Sequence, residues 1–305
     1  FYLFETDDHG LPTRTPFDRG GYFDLAPVDR GENVRRQICL TLEEMGVRPE
    51  RSHHEQGPGQ NEIDFRCASP LQAADDLMTV HTVIKAIAGQ NGLYASFLPK
   101  PLPEASGSGL HLNFSLLHGG RNVFENFQTA PDPLAAAFLA GILRRVPELT
   151  VFTNPLPGSY QRLGCCEAPG VVSWSCQNRS SLVRVPAAAG ADCRMELRSP
   201  DAACNPYYTV ALLLEAGLEG VREALPLPPA ASGDLLAARA RPDADALPAT
   251  LAEAVQRAEE SEFLRRILPA RLLDAYLAQK RRDAAAWGGA PDPYEYEMQR
   301  YFDRV

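Results

Sequence analysis

The run His53-His54-Glu55-Gln56-Gly57-Pro58-Gly59-Gln60-Asn61-Glu62 leaves the backbone few options. Gly-Pro-Gly marks a turn, and the residues on either side alternate as strands do. The alternation places His53 and Glu55 on one face of the first strand, and Glu62, Asp64 and Arg66 on one face of the second. Ile63 and Phe65 then point the other way, towards a core. Two carboxylates converging from adjacent strands suit a hard divalent cation, which prefers oxygen ligands. The same segment also reads as a polar hairpin with solvated acids, and on its own it does not choose between the two.

The rest of the composition narrows the function classes. With 305 residues, 45% of them hydrophobic, the chain can bury a substantial core in one large or two modest domains. Thirty-nine acidic residues against 30 basic ones give a net charge of −9 without a basic tract, so nucleic acid is not an expected partner. No apolar run reaches about 18 residues, so no membrane span is predicted. Phe1-Tyr2-Leu3-Phe4 reads as a strand rather than a signal peptide, and without an initiating Met the chain is expected to be a fragment beginning inside that strand. Seven cysteines without a CxxC pair fit reduced thiols and a cytoplasmic protein.

Residues 1–29 read as a strand and a Gly/Pro/Asp-rich loop. Val34, Ile38, Leu42 and Met45 recur at helical spacing, and Gly46 is placed to end that helix. A second helix is expected from Ser69-Pro70 to Asn91-Gly92, with His81 a packing or surface residue rather than a ligand. Leu93–Phe97 reads as a strand. Gly107-Ser108-Gly109 leads into another alternating run, with Leu110, Leu112, Phe114 and Leu116 opposite His111, Asn113 and Ser115. A helix from about Pro133 to Val146 precedes a long irregular segment. Residues 192–198 alternate again, with Arg194, Glu196 and Arg198 opposite Met195 and Leu197. Asn205-Pro206 opens an apolar helix to Gly220. The expected division is a catalytic core over 1–224, a Pro/Ala-rich connection over 225–248, and two or three amphipathic helices over 249–305. Strands mixed with helices, without regular βαβ alternation, predict an α+β fold with a mainly antiparallel sheet.

Three polar strand faces therefore stand out, together with Arg162, Arg179 and Arg184. Carboxylates and an imidazole for divalent metal, beside several arginines, are the parts of a phosphoryl-transfer site. A serine hydrolase lacks support because there is no GxSxG elbow, and a P-loop because Gly-Lys-Ser/Thr does not follow Gly107-Ser108-Gly109.

HHEQGPGQNEID, LPKP…GSGLH, NPLPGSYQRLG, EAP, SWSCQNRSSLVRV and MELRSPDAACNPYYTVALLLEAG occur in one order across most of residues 1–220. In that order they resemble the catalytic domain of bacterial-type glutamine synthetase, and residues 247–284 are similar to that family's closing helices. The resemblance implies a curved antiparallel sheet with flanking helices, as in the glutamine synthetase/guanido kinase-like fold. It also implies an ATP-dependent glutamate–ammonia ligase acting through γ-glutamyl phosphate. ATP and two or more Mg²⁺ or Mn²⁺ ions per site would be required, with L-glutamate and ammonia or a small amine as substrates and a dodecameric homo-oligomer as the assembly.

Residue by residue, the resemblance assigns Glu55 and Glu62 to the first metal, and His111 and Glu196 to the second. Arg162, Gly107 and Tyr22 fall on substrate-binding positions. Asn113, Ser115, Arg184 and Arg194 fall on the nucleotide side. Arg179 and Arg198 match arginines on the transferring phosphoryl group. Glu167 matches a mobile flap acid that shields the intermediate and accepts a proton from ammonium.

The chain departs from the family pattern in several places. Two further metal-ligand glutamates and a β-grasp domain would precede Phe1. Asn113 replaces a usual histidine and Ser106 a usual asparagine. The flap, Gly164-Cys165-Cys166-Glu167, is one residue shorter, and its cysteines are expected to be buried or inert. These changes keep a γ-glutamyl-amine or polyamine ligase as an alternative. A non-catalytic homologue is the reading from another class, opposed by the joint retention of the acids and arginines.

Overall fold

The structure is a computed structural model describing residues 1–233, 235 and 245–305, so part of the expected 225–248 connection lies outside the described residues. Its contacts divide into two compact units, Phe1–Ser108 with Tyr294–Val305, and Gly109–Pro293.

In the first unit, β1 (Tyr2–Thr6) pairs antiparallel with β2 (Pro12–Pro16). Tyr2, Leu3 and Phe4 of β1 are fully buried. Helix α1 (Glu32–Glu44) buries Val34, Ile38 and Leu42 at helical spacing, and Gly46 turns the chain with φ +89°. Strands β3 (Pro49–His54) and β4 (Asn61–Phe65) form the expected hairpin, pairing His53 with Glu62 and His54 with Asn61. The face of Ile63 and Phe65 is the inward one, as expected, but the residue most buried on it differs. Ile63 and Phe65 are only half-buried, whereas His54 is fully buried. Helix α2 (Pro70–Gln90) starts with proline at its first position, and β5 (Leu93–Ser96) completes a three-stranded sheet in the order β2-β1-β5. His81 on α2 stacks 3.9 Å from Phe97, and burial pushes its imidazole down to about 4, which keeps it a neutral packing residue.

The second unit begins with β6 (Leu112–Phe114) and a small hairpin, β7 (Leu117–His118) with β8 (Arg121–Asn122), turning on Gly119-Gly120. Helix α3 (Pro133–Thr153) is capped by the Asp132 carboxylate, which accepts from the Leu134 amide at 2.9 Å. It runs past the expected stop, carrying the buried Pro147 inside it. The segment expected to be irregular contains α4 (Pro157–Arg162), β9 (Trp174–Cys176) and β10 (Val183–Val185). Strand β11 (Met195–Leu197) sits between β6 and β10, giving the order β6-β11-β10-β9, antiparallel except for β9 with β10.

Helix α5 (Pro206–Arg222) is capped by Asn205, as its sequence predicts. It lies against α3 so closely that a Cβ on Gly141 would meet the Ala216 carbonyl at 2.2 Å, and one on Gly220 the Ala137 carbonyl at 2.1 Å. That close approach carries α3 through Pro147, because packing outweighs the lost helical hydrogen bond. Helices α6 (Leu251–Glu259), α7 (Glu262–Ile267) and α8 (Ala270–Gly288) cover the same apolar core. The last helix, α9 (Pro293–Tyr301), adds to the first unit, where Phe302 packs edge-on against Phe4 at 5.2 Å. No described helix is long and apolar enough to cross a membrane. The architecture is α+β.

Candidate functional site

The functional residues fall into two groups, one in each unit. In the first, the β3–β4 pairing sets His53 beside Glu62, with His53 Nε2 3.9 Å from Glu62 Oε2. Ligand atoms of His53, Glu55 and Glu62 all lie within 4.8 Å of one another. Phe23 stacks on the His53 ring at 4.4 Å, and Tyr22 meets it edge-on at 5.7 Å. Tyr22 thus reaches the site through His53. Asp64, next but one to Glu62 on β4, is pushed up to about 6 by burial and by the charge of Glu62. Three half-buried acids crowded this way are the condition a divalent cation relieves.

The residues flanking those acids point backwards into a buried polar network. His54 Nε2 lies 2.8 Å from Asp18 Oδ1, and His54 Nδ1 lies 2.6 Å from the Glu55 carbonyl. Asp18 also accepts from the amides of Gly20, Arg30 and Gly59. Asn61 Oδ1 accepts from Arg35, whose guanidinium also grips Asp29 at 2.6 Å. Asp18, Asp29 and His54 have the spacing of a metal cluster, but these carboxylates are committed to amides, imidazole and guanidinium. Their role is to hold the backbone of Glu55 and Glu62 from behind. Gln60 extends the hold by donating to the Gly107 carbonyl at 3.1 Å, and Ser106 donates to Gln56 at 2.8 Å. The Gly107 loop is therefore tied to the acid-bearing turn.

The second group is a row across the four-stranded sheet. Register aligns Asn113, Glu196, Arg184 and Ser175 on neighbouring strands. Glu196 is buried beside His111 Nδ1 at 3.2 Å, Arg184 Nε at 2.8 Å and Arg198 Nη1 at 3.0 Å. Burial alone would raise its carboxyl, but His111, Arg198 and Arg184 hold it down at about 2. The Arg184 approach lies outside hydrogen-bond geometry, which leaves Glu196 Oε2 buried without a hydrogen bond. An ionised oxygen in that condition, with an imidazole beside it, fits a metal ligand.

Arg198 also donates to the Glu167 carbonyl at 3.5 Å, and Arg179 lies 3.8 Å from the Glu167 carboxylate. Arg194 donates to Asn113 at 3.0 Å, which joins two of the residues expected on the nucleotide side, whereas Ser115 is simply exposed one position beyond β6. Arg162 is buried and donates to the carbonyls of Ser199 and Arg198 at 2.6 and 3.1 Å, two bonds from a fork of five donors.

Two residues of this site were not individually expected. His53 was legible only as half of an imidazole pair. Gly109 stands where a Cβ would come within 2.6 Å of Arg162 Nη2 and 3.2 Å of His111 Nε2. The signal for Gly109 was the second glycine of Gly107-Ser108-Gly109, just before His111.

The glutamine synthetase catalytic domain matches residues 1–299. A glutamine synthetase of Clostridium saccharobutylicum is 44% identical over all of this chain, which spans 70% of that protein; one of Methanosarcina mazei is 43% identical, with 69% spanned. Among solved structures, a GmaS/ADP complex superposes with a TM-score of 0.85 at 30% identity, covering 99% of this chain and 71% of that one. A Plasmodium falciparum glutamine synthetase shares the fold, with a TM-score of 0.81 at 23% identity, over 95% of this chain and 65% of that one. The chain belongs to the glutamine synthetase family, whose members are ATP-dependent carbon–nitrogen ligases using divalent metal.

Proposed function

We propose that this chain makes glutamine from L-glutamate, ammonia and ATP through γ-glutamyl phosphate. The observation that carries the reading is Glu196, ionised and buried among His111, Arg184 and Arg198, with one oxygen ion-paired to Arg184 but accepting no hydrogen bond. Such a site suits an anionic phosphoryl group moving between oxygens. His111 and Glu196 would hold one Mg²⁺ or Mn²⁺, and Glu55 and Glu62, with His53 beside them, another. The bound cations supply charge neutralisation at the phosphate and carboxylate oxygens.

The chain's own residues do the rest in this reading. Arg162 holds the α-carboxylate of glutamate, with the Gly107 loop and Tyr22 bordering the substrate. Arg184, Arg194, Asn113 and Ser115 orient the nucleotide. Arg179 and Arg198 spread the charge of the transferring phosphoryl group. The γ-carboxylate attacks the γ-phosphorus and ADP leaves, which converts a poor electrophile into an acyl phosphate. Glu167 takes a proton from ammonium, so that neutral ammonia attacks the acyl carbon and inorganic phosphate leaves as its C–O bond breaks. The turn of Glu167 excludes water meanwhile. The working assembly is a dodecamer in the cytoplasm.

A second reading, a γ-glutamyl-amine ligase, is favoured by the Cys165-Cys166 turn before Glu167 and by the likeness to the GmaS/ADP complex. A phosphate-release assay decides between them, using ATP, glutamate and Mn²⁺ or Mg²⁺ with ammonia, methylamine, putrescine or spermidine in turn. Ammonia is expected to serve at least as well as any amine; turnover with an amine alone overturns the glutamine reading.

A further inference from the structure

The turn that carries Glu167 also presents two sulfurs that the ligation does not use. Cys165 Sγ and Cys166 Sγ lie 3.2 Å apart, and Cys166 takes the left-handed conformation at φ +56°. The turn is short and closed: the Gly164 amide donates to the Ala168 carbonyl at 3.0 Å, and the Ala168 amide to the Cys165 carbonyl at 3.0 Å. Contrary to the expectation of buried thiols, Cys166 is exposed and Cys165 half-buried. Elsewhere burial pushes the thiols of Cys39, Cys176, Cys193 and Cys204 upward, away from the reactive thiolate. Cys67 is exposed but has no cysteine next to it in sequence.

We propose that Cys165 and Cys166 form an oxidation site, in which a hydroperoxide converts the pair into a vicinal disulfide that halts ligation while metal and nucleotide still bind. One thiolate attacks the peroxide, forming an S–O bond, breaking the O–O bond and releasing water or an alcohol. The neighbouring sulfur then attacks the sulfenic sulfur, forming the S–S bond and expelling a second water. Both thiols lose their hydrogens and the peroxide gains two electrons. The second sulfur is already at 3.2 Å and has to close to about 2.05 Å. Because Cα atoms of adjacent residues lie about 3.8 Å apart, closer than in ordinary disulfides, closing the ring also distorts the turn. The ring so formed stiffens the turn directly before Glu167. The loss of ligation rests on Glu167 acting as the ammonium base.

The test uses the full protein treated with stoichiometric hydrogen peroxide, followed by mass mapping without reduction, glutamine assay and thermal melts with ADP and Mn²⁺. The 165–166 peptide is expected to lose two hydrogens before Cys67 is modified. Glutamine formation should fall in step by about tenfold or more and return with dithiothreitol. The ADP-dependent rise in Tm is expected to survive. Cys165→Ser and Cys166→Ser should each lose the peroxide sensitivity, read as the ratio of treated to untreated rate of the same variant. Earlier modification of Cys67, a disulfide without loss of rate, or a Cys166→Ser protein as sensitive as the parent would each overturn the proposal. A reduced protein that never makes glutamine overturns the ammonia reading instead, before peroxide is added, and the mass map then decides the oxidation site alone.

Discussion

The acids of the β3–β4 hairpin and the acid of β11 solve opposite electrostatic problems. Glu196 on β11 is compensated within its own sheet by His111, Arg184 and Arg198. Glu55, Glu62 and Asp64 are half-buried beside one another, with His53 3.9 Å from Glu62 as the neighbouring partner. One group sets a single acid among two guanidiniums and an imidazole; the other gathers three acids against His53 and Arg51. The protein's charge balance therefore carries the first, and solution metal is expected to carry the second.

Removing the acid from each group should break this contrast most sharply. Glu196→Gln strands Arg184 and Arg198, so it is expected to lower stability by about 3 kcal/mol, read by urea unfolding. Ligase turnover should fall by about a thousandfold, because one acid serves two guanidiniums, an imidazole and the proposed metal. Glu62→Gln should lose about a hundredfold in turnover, since Glu55 and His53 remain near the cation. Its metal-free stability should stay within about 0.5 kcal/mol of the parent, while the Mn²⁺-dependent rise in Tm disappears. A metal-free loss as large as that of Glu196→Gln would show that the two groups are alike after all.

Smaller changes sharpen the comparison from outside the acids. Gly109→Ala drives a methyl group against Arg162 and is expected to raise the glutamate KM by about tenfold, with kcat changed much less. A matching fall in kcat would place Arg162 in the transition state instead. Glu219 on α5 is an ion cluster without a site, held by Arg144, Arg145 and Arg266. Burial would raise its carboxyl, but hydrogen bonds from these arginines hold it at about 2 against an ordinary value of 4.5. Its contribution is thus complete above pH 4.5 and is lost as pH falls towards 2. Glu219→Ala should cost about 1–3 kcal/mol at neutral pH, with that difference shrinking in acid and turnover unchanged. Equal destabilisation at pH 7 and pH 2 would remove the electrostatic explanation.

Local chemistry was the legible part of this fold. The Gly-Pro-Gly hairpin, the proline-led start of α2, the Asn205 cap and the alternation around Asn113 and Glu196 each depend on a few neighbouring residues. What escaped depended on distant partners. The length of α3 beyond Val146 is set by α5, and β9 and β10 are short strands defined by β11 rather than by their own pattern. The same division holds in the site. Glu55, Glu62 and Glu196 announced themselves, but the backing of Asp18 and Arg35 joins residues tens of positions apart. Alternation chose the inward side of the hairpin correctly, since His54 and Asn61 lie on the face of Ile63 and Phe65, but misjudged what fills it. The buried member is His54, because a polar network rather than an apolar core lies behind that face.

The turn between Glu55 and Glu62 is built against β1. The Tyr2 hydroxyl occupies the space a side chain at Gly57 would need, the Leu3 carbonyl does the same at Gly59, and the Leu3 amide donates to the Gly59 carbonyl at 2.8 Å. The acids therefore do not acquire their spacing when the hairpin closes locally. They acquire it when a strand more than 50 positions earlier docks onto the turn. The cation affinity proposed for the hairpin is for that reason expected late in folding, and a metal-sensitive probe placed there would time the closure of the first unit.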